Sequence, residues 1–284
     1  MLGPELIVAG APVSVLGLVA LGTGVGYAAG LFGVGGGFIM TPLLVALFGV
    51  PLSVAVGTGL CQIVGTSLVS ALRQRRAGKV EVRLVAALLP PAMLGSELGA
   101  RALEGLSALG SVSIAGRSIL WSSVVGELAY VVLLVGIGVS YVRGARAPSD
   151  ELGYLRPGPL TRIALGPPLD LPAAGLRGVS TLVLAGVGLG FGTLSGLLGI
   201  GGGVVLSPIL IYGLGFPVQL AIGTGVSVLF ATSIVGTVAH ALRGNVHLAL
   251  AVTLLIGGTV AAQLGALASR RFSGATLARL QAAL

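Results

Sequence analysis

Two glycine clusters, Gly33, Gly35, Gly36, Gly37 and Gly199, Gly201, Gly202, Gly203, interrupt long apolar stretches of this chain. Each consecutive glycine costs a helix about 1 kcal/mol relative to alanine, so three in a row break it. Inside a bilayer, broken backbone is tolerated only where it is buried in protein or lines a water-filled cavity. The helix that resumes after such a break presents free N–H groups and the positive end of its dipole, which suits an anion without a buried cation. Gly35, Gly36, Gly37, Gly201, Gly202 and Gly203 are therefore candidate substrate-binding positions. Thr58 and Thr224, each in a Gly-Thr-Gly step, and Gln62 and Ser227 one turn later add hydroxyl and amide donors. Thr66-Ser67 and Thr232-Ser233 extend a polar track, although such hydroxyls also bond back to their own helix. Ionisable groups within apolar runs are few, namely Glu97, Glu127 and His240. Glu97 corresponds in the second half to Gln263; Glu97, Gln263 and His240 are candidates for coupling or gating, with burial raising a carboxyl pKa. Glu97 is equally placed to pair with Arg101, four residues on. His240 and His247 stand at a loop, which favours an interfacial position.

The elements that carry these residues are membrane helices. Of 284 residues, 55% are hydrophobic and 8% charged, and the mean hydropathy is +1.07. Charge this sparse cannot cover a soluble surface. The apolar runs are continuous and aromatics reach only 5%, against an alternating β-barrel. Spanning lengths fall at 12–34, 52–72, 84–103, 119–142, 179–199, 218–239 and 246–267. Shorter runs, 37–49 and 204–215, follow the glycine clusters and contain Pro42 and Pro208. The fold expected is an all-α polytopic membrane protein with short or broken helices after the glycines.

The chain repeats itself. Residues 30–59 and 196–225 align without gaps at an offset of 166, with 14 of 30 positions identical. The glycine ladders Gly22, Gly26, Gly30 and Gly188, Gly192, Gly196 share the offset and read as close helix packing. Three parts are expected: membrane repeat 12–142, a polar cytoplasmic linker 143–177 rich in Arg and Pro, and membrane repeat 178–284, in which helix 119–142 of the first repeat has no counterpart before Leu284. Fifteen of the 16 basic residues are Arg. The turn Arg73, Arg75, Arg76, Lys79, Arg83 and the linker read as cytoplasmic by the positive-inside rule. If the short segments are re-entrant, the repeats are parallel and 11 of 16 basic residues lie inside; if they cross, the repeats are inverted and 13 do. The count leans to inversion and the short lengths lean the other way.

Gly78-Lys79 is followed by Val80, so no phosphate-binding GxxxxGK[ST] is present. HExxH, GxSxG and TVGYG are also missing, and Cys61 is the single cysteine. An enzyme, an ATP-driven pump and a bound metal are disfavoured, no cofactor is called for, and the excess of Arg is not a nucleic-acid signal.

GLFGVGGG, AVGTG and RQRRAGKVEVR in the first half, with GLLGIGGG, AIGTG and ALRGNV in the second, resemble the TauE/SafE family of sulfite-exporter-like membrane transporters. The resemblance covers roughly 20–103 and 186–267. It implies a multi-pass plasma (inner) membrane protein and a secondary transporter, usually an exporter, of small sulfur-containing anions such as sulfite or organosulfonates. It carries the family's glycine motif onto Gly35–Gly37 and Gly201–Gly203 and its Gly-Thr step onto Thr58 and Thr224. Expected partners are the small anion and the lipid bilayer, with a coupling proton and a homodimer left open. A pore for anions or small solutes, and a carrier of another small carboxylate, remain alternatives.

Overall fold

The computed structural model describes residues 5–32, 37–114, 117–144, 158–200 and 203–269. Much of the expected linker, 145–157, and the end of the second repeat, 270–284, lie outside these residues. The helices are α1 (Val15–Phe32), α2 (Gly37–Phe48), α3 (Leu52–Arg76), α4 (Val82–Ala108), α5 (Trp121–Gly144), α6 (Thr181–Leu198), α7 (Gly203–Pro208, running on into a π-helical turn Ile209–Leu214), α8 (Val218–Leu242) and α9 (Leu248–Ser269). Among the described residues, six of these are long and apolar enough to cross a membrane: α3, α4, α5, α6, α8 and α9. The protein is a polytopic all-α membrane fold. Short antiparallel hairpins cap helix ends: β1 (Glu5–Val8) with β2 (Ala11–Ser14), β3 (Ser111–Ile114) with β4 (Arg117–Leu120), and β5 (Pro168–Leu171) with β6 (Leu176–Ser180). Nothing in the hydrophobic pattern predicts these hairpins. Their strands are four or five residues long, too brief to carry a period in a chain dominated by helix.

Two stop signals shape the bundle. α6 ends at Gly199, whose φ of 66° suits glycine and lets its N–H return to the Ser195 carbonyl. Pro208 cannot donate to the backbone ladder, and the segment behind it loosens into the π turn before Gly215 ends it. α3 and α8 follow Pro51 and Pro217 and each run 25 residues.

Glycine decides which helices touch. A β-carbon on Gly188, Gly192 or Gly196 of α6 would lie 2.6, 2.0 or 2.0 Å from the Leu88, Ala92 and Ser96 carbonyls of α4. One on Gly22, Gly26 or Gly30 of α1 would lie 2.6, 2.4 or 1.9 Å from the Leu254, Gly258 and Ala262 carbonyls of α9. Those distances exclude any side chain, and they put the backbones of α4 and α6, and of α1 and α9, in direct parallel contact. Between these pairs α3 crosses α8. Gly57 lies against His240, Leu60 against Gly236 and Gln74 against Gly223, so the two helices run antiparallel. Ile63 and Leu229 share one buried cluster at the crossing.

Candidate functional site

The site is built from the short helices and the α3–α8 crossing. A β-carbon on Gly59 would lie 3.3 Å from Thr41 Oγ1, and Val45 packs on the cluster that holds Leu52 and Val56. α2 therefore descends antiparallel along α3. One turn back from Thr41, Gly37 reaches the level of Ile63. In the second half Gly225 faces Ser207 Oγ at 3.7 Å, which brings Gly203 to the level of Leu229. Both short helices thus begin beside the midpoint of the α3–α8 crossing and lead away from it toward opposite ends. Gly37 is buried. Gly35, Gly36, Gly201 and Gly202 lie outside the described residues.

The other polar residues of the expected site divide into three groups. Gln62 is 2% exposed, with its amide nitrogen toward Gly258 of α9 and its Oε1 without a hydrogen-bond partner. That unpartnered atom is an acceptor, open to a donor from water or a ligand; toward an oxyanion only the Nε2 of this amide can donate. Ser227, by contrast, donates to the Gly223 carbonyl of its own helix at 2.9 Å. Ser67 and Thr232 likewise bond back to α3 and α8. Thr58 and Thr224 are fully buried and hold loops: Thr58 Oγ1 accepts from His247 N–H at 3.1 Å and Thr224 Oγ1 from Glu81 N–H at 3.0 Å.

The ionisable candidates are scattered. Glu97 of α4 accepts from Arg101 Nε and from Arg243, both at 2.8 Å. Arg243, just past α8, also pairs with Glu104 at 2.7 Å; these carboxylates raise its pKa further. Gln263 is exposed on α9, and Glu127 is exposed on α5. His240, near the loop end of α8 in its last turn, is completely buried within the protein, its Nε2 2.9 Å from the Gly196 carbonyl. The close approach of α3 at Gly57 and of α6 at Gly196 covers it, which sequence position alone does not reveal.

Sequence reasoning passes over four residues near the breaks. Thr41 and Ser207 occupy matching places in MTP and LSP, at the same 166-residue offset, and that repetition could have found them. Tyr130 donates to the Leu198 carbonyl and so occupies an open end of α6. Ser96, fully buried against Gly236, keeps an unpartnered hydroxyl oxygen.

The profile of the family described as "Sulfite exporter TauE/SafE" matches residues 18–284. The chain belongs to the TauE/SafE family. TauE/SafE proteins are transporters and not enzymes, and this one is a multi-pass membrane transporter of that type. Curated relatives agree with the TauE/SafE assignment in scope. "Probable membrane transporter protein YunE" of Bacillus subtilis (strain 168) is 26% identical over 270 residues, covering 92% of this chain and 90% of that protein. A "Probable membrane transporter protein" of Xylella fastidiosa (strain 9a5c) is 27% identical over 260 residues, covering 90% and 86%. The Methanocaldococcus jannaschii protein MJ0441, named in the same terms, is 28% identical over 228 residues, covering 78% and 71%. No solved structure matches.

Proposed function

We propose that this TauE/SafE protein is a secondary transporter, working as an exporter at the plasma membrane, for a small sulfur-containing oxyanion such as sulfite or an organosulfonate. The observation that carries the reading is the start of both short helices beside the Ile63–Leu229 crossing. Two dipole ends and their free N–H groups at mid-depth favour an anion. Gln62, buried on α3, joins the lining through its Nε2, the one donor atom of that side chain. A sulfonate brings three acceptor oxygens and stays charged at neutral pH, so donors alone can hold it. The two halves act as inverted repeats: antiparallel α3 and α8 support an axis in the membrane plane, and alternating access is one half rocking on the other. Arg73–Arg83 and the linker then face the cytoplasm.

Thermal stabilisation of the purified protein by sulfite, sulfoacetate, taurine, acetate and chloride tests the substrate class. Selective stabilisation by sulfite or sulfonate, followed by saturable counterflow in proteoliposomes, supports it. A response to acetate alone moves the substrate to carboxylates, and flux without saturation replaces the carrier with a pore.

A further inference from the structure

The described ion pairs that join the two halves of the chain all involve one residue, Arg243. Its side chain, 15% exposed, reaches from the end of α8 to Glu97 and Glu104, one face of α4, at 2.8 and 2.7 Å. A third donor contact, to the Ala239 carbonyl at 2.6 Å, fixes the side chain along its own helix. Arg101 donates to the same Glu97 oxygen, Oε1, as Arg243 does, and His240 lies one turn before Arg243 with its Nδ1 unpartnered. At the 166-residue offset Arg243 corresponds to Ala77, and Glu97 to Gln263; both of these are exposed and uncharged. One end of the bundle is therefore tied ionically between the halves. At the opposite end, the described contacts from Glu81 and Arg83 go to backbone atoms instead: the Glu81 carboxylate accepts from the Ala173 N–H, and Arg83 donates to the Asp170 carbonyl.

We propose that Arg243 is a positioning residue of the transport cycle: paired with Glu97 and Glu104, it latches α8 to α4 and keeps that end of the bundle closed. The inference rests on the alternating-access reading for its place in the cycle, but its geometry does not depend on the substrate. Symmetric halves would favour both ends equally. A cation bridging two carboxylates at one end, with uncharged Ala77 and Gln263 at the matching described positions of the other, biases the resting state toward closure at the tied end. Ser96, next to Glu97 in sequence, is fully buried with its Oγ toward Gly236 of α8, the helix that Arg243 ties to α4.

The test needs no substrate. A Cys61→Ala protein carrying Ser96→Cys is placed in lipid nanodiscs and its reaction with a bulky hydrophilic maleimide is timed. With Arg243 intact the thiol reacts slowly; Arg243→Gln makes it react about tenfold faster, and Arg243→Lys falls between. A rate unchanged in Arg243→Gln overturns the proposal. Should that variant not fold, the Glu97→Gln/Glu104→Gln pair removes the same latch from the α4 side and is read the same way. Loss of ligand stabilisation with fast labelling intact would reject the substrate reading and leave the latch standing.

Discussion

The backbone N–H of Glu81 is held by the hydroxyl of Thr224, a residue 143 positions away in the other half of the chain. The mirror of that bond runs from His247, 166 residues after Glu81, to Thr58, 166 residues before Thr224. The adjoining glycines complete the arrangement: a β-carbon on Gly223 would lie 1.9 Å from the Lys79 carbonyl, and one on Gly57 2.4 Å from the Asn245 carbonyl. In each Gly-Thr-Gly step the glycine admits the opposite loop and the threonine fastens it.

Thr224→Val leaves the buried Glu81 N–H unsatisfied, at a cost of about 1–3 kcal/mol, and Thr58→Val frees the half-buried His247 N–H at the lower end of that range. Each single variant should melt lower in detergent, Thr→Ser should recover most of the loss, and the double variant should lose about the sum, because the two bonds share no partner. Ligand selectivity should survive in whichever variants stay folded. A melting point unchanged in both single variants would remove the anchoring role.

Gly192→Ala and Gly26→Ala should prevent correct assembly, since the new methyl would fall 2.0 and 2.4 Å from a carbonyl oxygen on the facing helix. Gly190→Ala and Gly24→Ala, two positions earlier on the same helices, meet nothing within 4 Å. They should express and elute from a sizing column as the parent does, or slightly better for alanine's helix propensity.

The need for close helix contacts is legible in the residues themselves. The ladders of Gly22 and Gly188 announce tight packing, and their shared offset ties them to one design. Which helices they meet is not legible, because a glycine names the need for a close neighbour and not the neighbour. The threonines show the same gap from the other side. Their repetition marks them as important, while the bond to a distant loop N–H depends on antiparallel crossing geometry that no local pattern encodes. Thr41 escapes notice because a single hydroxyl beside Pro42 looks like an ordinary helix residue until Gly59 and Gly199 close on it.

Gln62→Leu and Ser227→Ala separate the polar lining from polar residues that serve their own helix. Gln62→Leu should weaken anion stabilisation by about tenfold, the scale of one lost hydrogen bond from the Gln62 Nε2 to a charged group. Ser227→Ala gives up only a bond to Gly223 and should leave binding unchanged. Equal losses in the two would dismiss Gln62 as a ligand contact.

Ala77 and Arg243 follow the ends of α3 and α8, two matching helices that run antiparallel. Single cysteines at Ala77 and Gly244 should therefore be modified by impermeant reagents from opposite faces of the membrane. Modification of both from one face would make the halves parallel.

The pairing of α1 with α9 also has a cost in time. Gly26 meets Gly258 only after the intervening stretch of chain has been made, so at a synthesis rate of roughly 5–20 residues per second the first helix waits on the order of ten seconds or more for its partner. For that interval its bare glycine face stands in lipid or against whatever the insertion machinery offers. Assembly of this protein is thus a matter of late closure: the last described helix to be synthesised is the one that secures the first, and a ribosome halted before α9 would leave the glycine face of α1 unfilled.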